Sequence, residues 1–243
     1  MNNTFDINRL FKFIQRQAAL NAPPLLIAAG AVFGMLLIVS LLTGYYGPEN
    51  MGGLLIFFIV VFFLGGFILT SNIFSELHTP QKSYFYLTLP VSTLEKLIGS
   101  WILTSPLYIL IFSVVGYLIY LIPTIMVGDS YPVPMFFNRD YFRVIGSYLV
   151  IQTLFFLGAA YFRKYNFLKT LLSVFLFQIA IGLYTALLVW LLFNGSVNDR
   201  DLDSGFKGVI ENTVPRIAHI FFWYILGPFL LIVSYFSLKE REV

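Results

Sequence analysis

Six long apolar stretches divide the chain, and they set its expected architecture. Runs within them such as residues 54–65 are apolar on every helical face, and only Lys169, near the start of the fifth stretch, carries a full charge. A helix needs about 20 mostly apolar residues to cross roughly 30 Å of hydrocarbon. The pattern therefore predicts six transmembrane helices, at 23–43, 51–74, 97–126, 144–162, 167–193 and 217–238.

The segment before the first apolar stretch has a different pattern. Between residues 2 and 21, apolar side chains recur at helical spacing while basic side chains occupy the other faces. Such a helix typically lies in the membrane interface, although a solvated basic leader is the alternative. We expect an interfacial helix over 1–22 and a six-span domain over 23–243. The apolar positions are Ile7, Leu10, Phe11, Ile14 and Ala18, and the basic ones are Arg9, Lys12 and Arg16.

Composition supports a membrane protein over a soluble one. Hydrophobic residues make up 58% of the chain and charged residues 11%, against about 45–50% and about 25% in ordinary globular proteins. Mean hydropathy is +0.83. These values exclude a soluble enzyme, a disordered protein and a nucleic-acid-binding domain. The fold class we predict is an all-α integral membrane protein with six transmembrane helices and an N-terminal amphipathic interfacial helix.

The distribution of Lys and Arg predicts the orientation of the spans. Six crossings place both termini on one side, and cytoplasmic segments carry an excess of basic residues. With the termini inside, ten of the 15 basic residues lie inside and five outside. We therefore expect a multi-pass protein of the cell (plasma or inner) membrane with cytoplasmic termini. The inner ten are Arg9, Lys12, Arg16, Lys82, Lys96, Arg163, Lys164, Lys169, Lys239 and Arg241.

The predicted spans are poor in groups that do chemistry. Ionisable side chains in a membrane usually mark proton or ion pathways, yet apart from Lys169 the spans hold only His219, at an outer edge. The sequence has no phosphate-binding loop, no His-Glu-x-x-His motif and no cysteine. We expect no enzymatic activity, no metal site and no cofactor, so any work must draw energy from another molecule.

The cytoplasmic loop between spans two and three contains two helix-start signals. Thr79 followed by Pro80 is typical of a helix N-terminus with proline at its first position. Ser92 and Glu95 match a capping box, in which each side chain bonds the backbone N–H of the other residue. Pro90 lies between them and favours a tight turn after Leu89. The loop is expected to form a short helix, a turn, and a second helix that leads into span three.

The same loop places Tyr84, Phe85, Tyr86 and Leu87 where nothing in the sequence obviously covers them. Apolar patches of this kind often mark a contact with a partner. A plain connector is the alternative interpretation.

Taken together, these features resemble the membrane-spanning permease subunits of ABC-2 type exporters. The resemblance depends on the amphipathic N-terminal helix, the six spans, the short tail, and the Leu89-Pro90-Val91-Ser92 segment followed by Glu95-Lys96. It implies that residues 79–89 form a coupling helix that docks on an ATPase, and that Ser92, Glu95 and Lys96 begin the helix that transmits the movement. The coupling residues so implied are Thr79, Pro80, Lys82, Tyr84, Phe85, Leu89, Pro90, Ser92, Glu95 and Lys96.

The resemblance also implies partners. A separate ATPase subunit would bind the ATP, a second permease copy or a related permease would complete the translocator, and lipid would surround it; nucleic acid is not expected. Short re-entrant helices at the outer mouth are implied within 194–216. Two other functions stay open: an ion-coupled secondary transporter or channel, and a noncatalytic membrane assembly or anchoring protein.

Overall fold

The computed structural model describes residues 5–47, 51–127, 138–193 and 212–241 of the 243. The structure is 92% helical, and no strand occurs in the described residues. Six of its helices are long and apolar enough to cross a membrane. The predicted all-α, six-span fold class is thereby confirmed.

Ten α-helices and two π-helical segments make up the described chain. The π-helical segments Leu103–Leu107 and Phe221–Leu226 join α5 to α6 and α9 to α10, so that each pair forms one continuous span. The helices are α1 (Ile7–Tyr46), α2 (Met51–Asn72), α3 (Ser75–His78), α4 (Pro80–Leu87), α5 (Thr93–Ile102), α6 (Tyr108–Val127), α7 (Arg139–Tyr161), α8 (Asn166–Phe193), α9 (Val214–Ile220) and α10 (Gly227–Glu240).

The N-terminal segment and the first span form one helix. We expected a division near residue 22, but α1 continues through Pro23 and Pro24. Each proline lacks the N–H that would bond the carbonyl four residues earlier, so both remove a helical hydrogen bond without ending the helix. The amphipathic part of α1 is therefore a direct extension of span one.

The helix α7 lies at the centre of the bundle. It packs against α2, α8 and α10, whereas α1 packs against α5 and α6. Tyr148, Phe156 and Ala159 on α7 are fully buried. Gly66 of α2 lets α7 come close, because a Cβ atom there would lie 2.4 Å from the Tyr148 ring.

Both ends of the described chain lie at the same end of the bundle. Arg9 contacts Glu95, just after the α4 loop, and Arg241 contacts His78, just before it. This arrangement agrees with an even number of crossings. The helix α8 is peripheral, since its side chains from Leu171 onward are mostly exposed.

Candidate functional site: the loop between spans two and three

A short helix, α4, forms where the sequence predicts it. Thr79 is its N-cap residue and Pro80 its first residue, and the Thr79 carbonyl accepts hydrogen bonds from the N–H groups of Lys82 (2.9 Å) and Ser83 (2.8 Å). The Thr79 hydroxyl does not cap the helix. It donates instead to the carbonyl of Ser75, the first residue of α3, at 3.1 Å, which ties α4 to α3.

One face of α4 is open. Tyr84 is 69% exposed and Phe85 is 67% exposed, and their rings meet edge to face with centroids 6.0 Å apart. Lys82 is exposed on the same face, because residues three apart are neighbours on a helix. An aromatic pair beside a single cation is therefore presented to the surroundings.

The opposite face of α4 is buried, which corrects part of the expectation. Tyr86 is not displayed: it is only 2% exposed and packs edge-on against Phe13 of α1. The Lys96 ammonium lies 5.3 Å from the centre of the Tyr86 ring, within range of a cation–π interaction. Leu87 is half-buried against the same apolar cluster. The helix α4 is thus anchored by Tyr86 and open at Tyr84 and Phe85.

The turn and the capping box after α4 both form. The Val91 N–H donates to the Leu89 carbonyl at 2.7 Å, which closes a three-residue turn around Pro90. The Glu95 N–H donates to the Ser92 hydroxyl at 3.3 Å, and the Ser92 N–H donates to the Glu95 carboxylate at 2.8 Å. Pro90 is exposed, Leu89 is half-buried, and α5 begins immediately after Ser92.

Glu95 also ties the loop to the N-terminal helix. Its side chain is fully buried, and its Oε1 accepts hydrogen bonds from the Asp6 N–H (2.6 Å) and from Arg9 Nη2 (3.1 Å). The Asp6 carboxylate in turn caps α1 by accepting from the Asn8 N–H at 2.8 Å. A carboxylate this buried needs several donors to offset its lost hydration. Glu95 is therefore a structural connection between α1 and α5, and it is inaccessible to a partner.

A second connection lies about two helical turns further along α1. Arg16 and Gln17 both donate to the Glu76 carboxylate of α3, at 3.0 Å and 3.2 Å. In the amphipathic part of α1 the buried side chains are Leu10, Phe13 and Gln17, whereas Ile7 and Phe11 remain exposed. The predicted apolar face thus divides into two stripes, one against the protein and one available to the membrane interface.

His78 connects the loop to the C-terminus. Its Nε2 lies 2.7 Å from the Ala159 carbonyl, and Arg241 Nη1 lies 2.8 Å from its Nδ1. A neutral ring with its proton on Nε2 donates to the carbonyl and accepts from the guanidinium, so it satisfies both contacts. Burial, and then the charges of Arg241 and Arg163, hold the pKa of His78 below its ordinary value. Arg241 also donates to the Tyr161 carbonyl at 2.7 Å.

A buried polar network lies further along span three. The carboxamide of Gln152 on α7 donates to the Thr104 hydroxyl at 2.8 Å and to the Thr70 hydroxyl at 3.2 Å, and the Ser105 hydroxyl donates to it. The Tyr148 hydroxyl donates to the Thr104 carbonyl at 2.8 Å. Thr104 and Ser105 belong to the π-helical segment that also contains Pro106. π-Helical turns often mark functional positions in helices.

Sequence reasoning identified the loop but missed most of the residues that hold it. Arg9, Glu76, His78 and Arg241 make its long-range contacts, and they lie as much as 163 positions apart in sequence. The basic face of the N-terminal helix was the one available signal, because three cations on one face require an acidic partner or water. Lys12 on that face remains exposed.

Comparison of this chain with protein-family models, curated proteins and solved structures gave no match. Within the described residues, no group of three or more His, Asp or Glu side chains is placed to hold a metal ion.

Proposed function

We propose that this chain is the permease subunit of an ABC-2 type exporter and that a separate ATPase docks on the exposed face of α4. The observation that carries the proposal is the two-sided character of this helix. Tyr84 and Phe85 are open to a partner, while Tyr86 on the opposite face is buried against α1 and next to Lys96 of α5. A force applied to the open face would reach span three directly.

The direction of transmission follows from the contacts. The turn at Pro90 and the capping box connect α4 to α5 through a short, hydrogen-bonded segment. The helix α5 then continues through the π-helical segment into α6. Glu95 makes the amphipathic part of α1 move with α5. The wider turn at Leu103–Leu107 and the Gln152 network are then the place where span three changes its packing against α2 and α7.

The scarcity of ionisable groups in the predicted spans supports an external energy source. Side chains that could relay protons are scarce in the predicted spans, and the chain has no phosphate-binding loop of its own. In this proposal ATP is bound by the partner, both termini are cytoplasmic, and the protein resides in the cell membrane. The exposed length of α8 leaves room for a second permease copy or a related permease.

Site-specific photocrosslinking tests the docking face. A photoreactive phenylalanine at position 85 should crosslink to a chain that contains a phosphate-binding loop, identified by peptide mass spectrometry. The same group at Tyr45, which is 79% exposed at the opposite end of the bundle, should not. Crosslinking of both positions, or of neither, would contradict the assignment.

Alanine substitution provides the functional counterpart. Tyr84→Ala together with Phe85→Ala should lower copurification of the ATPase about tenfold or more, because removal of two central interface aromatics typically costs over 1 kcal/mol each. Tyr45→Ala is the matched control and should leave copurification unchanged. Transport that continues without any ATPase and depends on an ion gradient would instead favour a secondary transporter.

A further inference from the structure

A cavity of about 190 Å³ lies between α2, α6 and α7, away from the loop described above. It is in the half of the bundle opposite the termini, because it adjoins the first residues of α7. The helix α6 packs chiefly on α1, while α7 packs chiefly on α2 and α10, and the cavity occupies the wedge that this leaves. Its walls include Leu55, Phe58, Phe62, Phe112, Val144 and Ile145.

The walls of the cavity are largely apolar and aromatic. The Phe62 ring packs against the rings of Phe112 (5.1 Å), Tyr108 (5.5 Å) and Tyr148 (4.7 Å). Aromatic clusters of this kind hold their geometry through mutual contact. The aromatic wall of the cavity is therefore formed by rings that pack against one another.

The two hydroxyl groups that line the cavity, those of Tyr141 and Ser113, already donate within the protein. The Tyr141 hydroxyl donates to the Ser113 hydroxyl, and Ser113 donates to the Ile109 carbonyl. Asn138 accepts from the Tyr141 N–H as the cap of α7. Because no hydroxyl proton among these groups is left to offer, the interior suits a hydrocarbon chain better than a polar group. An apolar cavity of about 150 Å³ is enough to hold a benzene-sized ligand, so a segment of an acyl chain fits.

The rim of the cavity carries an acidic side chain, and a basic side chain outside the lining is paired with it. Asp140 lies at the rim, and its carboxylate is 2.9 Å from the Arg143 guanidinium. Both side chains are exposed, so each can also bind a group from outside. Arg139 is the residue before Asp140. Consecutive residues of a helix differ by about 100° around its axis, so the Arg139 side chain is directed further from the cavity than that of Asp140. A paired acid and base next to a largely apolar cavity match an ammonium and a phosphate carried on one head group.

We propose that this cavity binds one acyl chain of a zwitterionic phospholipid, with the ammonium of the head group at Asp140 and the phosphate at Arg143. The inference requires only that the chain lies in a membrane. It is independent of the proposed ATPase partner, and its test contains no ATPase.

The test uses the full chain in nanodiscs of phosphatidylglycerol, so that the bulk lipid is anionic. The probe is lysophosphatidylcholine with a diazirine in its acyl chain, and the labelled peptides are mapped by mass spectrometry. Saturable labelling of the peptides around Phe58–Phe62 and Val144–Ile145 is expected. Unlabelled lysophosphatidylcholine should compete, and lysophosphatidylglycerol of equal chain length should compete about tenfold less well. Labelling that does not saturate and spreads over the exposed faces of α1 and α8 would overturn the proposal.

Two matched substitutions separate the cavity from the surrounding lipid. Val144→Phe fills the cavity and should lower labelling about tenfold, the effect of displacing two methylene groups. Val114→Phe makes the same change on an exposed face of α6 and should leave labelling unaltered. Equal labelling of both variants would refute the site.

Substitutions of Asp140 and Arg143 test the head-group assignment. Both side chains are exposed, so these changes should not disturb folding. Asp140→Asn and Arg143→Gln should each remove the preference for the zwitterionic competitor while chain labelling remains. A preference that survives both changes would refute the assignment of the rim.

Discussion

A few buried polar residues determine how the loop is held. Glu95 receives three of its hydrogen bonds from Asp6 and Arg9 at the start of α1 and from Ser92 just before α5. His78 likewise joins α3, α7 and the C-terminal Arg241. Because each of these residues satisfies several partners at once, its loss leaves more than one buried group without its bond.

Glu95→Ala is expected to destabilise the protein by about 3 kcal/mol, since it removes the carboxylate that accepts from the partly buried Arg9 guanidinium and from the backbone N–H groups of Asp6 and Ser92. The measurement is the midpoint of thermal unfolding in detergent. Asp140→Ala is the control. It removes an ion pair that is exposed on both sides, which should cost less than about 1 kcal/mol. Equal shifts of the two midpoints would contradict the structural role given to Glu95.

Stability should depend on pH through His78. Its pKa is lower in the folded protein than the value of about 6.5 that an unfolded chain has. The unfolded state therefore binds the proton more readily, so the contribution of His78 is complete above about pH 6.5 and is lost as the pH falls toward the folded pKa.

Comparing the unfolding midpoint at pH 8 and pH 5.5 tests this. The midpoint of the unchanged protein should decrease with acidification more than that of His78→Gln, which cannot titrate. His219→Gln, a change at the other histidine of the chain, should retain the full decrease. A His78→Gln protein with the same pH dependence as the unchanged one would rule out this contribution.

At the scale of elements, close helix contacts depend on small residues at particular positions. Gly66 faces the Tyr148 ring, whereas Gly52, on the same helix, has no atom within 4 Å of where its Cβ would be. The contact of α2 with α7 therefore depends on Gly66 and not on Gly52. This contact also brings Thr70 within reach of Gln152.

Gly66→Ala should destabilise the protein by about 1–3 kcal/mol, the usual cost of forcing extra volume into a packed contact. Gly52→Ala should have almost no effect. Thermal unfolding of the two variants in the same detergent compares them directly. If Gly52→Ala were the more harmful change, the packing of α2 described above would be wrong.

At the scale of the whole molecule, the bundle has two distinct ends. One end gathers the paired charges of α1, α3, α5 and the C-terminus, and the other carries Tyr45 and the first residues of α7. The absence of cysteine from the sequence makes this polarity measurable, because any introduced cysteine is the only one present.

Single cysteines at Lys82 and Tyr45 should react with a membrane-impermeant maleimide from opposite sides. In intact cells Tyr45→Cys is expected to label and Lys82→Cys is expected to label only after the membrane is opened. Both side chains are exposed, so differences in burial do not account for the result. The reverse pattern would place α4 outside and remove the basis of the proposed function.

The sequence alone determined the six spans, the short helix after Thr79 and the capping box at Ser92 and Glu95. These features depend on local periodicity and on side chains that bond their own neighbours, and both can be recognised without knowing the fold. The re-entrant helices expected within 194–216 lie mostly outside the described residues. The docking role of Tyr84 and Phe85 stays a proposal.

Only the tertiary structure decided which side of α4 is buried, that Glu95 bonds Arg9, and that His78 meets Arg241. It also decided that α1 continues past its prolines, and that a cavity lies between α2, α6 and α7. These outcomes depend on contacts between residues dozens of positions apart. The local pattern of apolar and polar residues does not predict such contacts. A cation or an aromatic ring on a helix face has the same sequence pattern whether it contacts water, lipid or another helix.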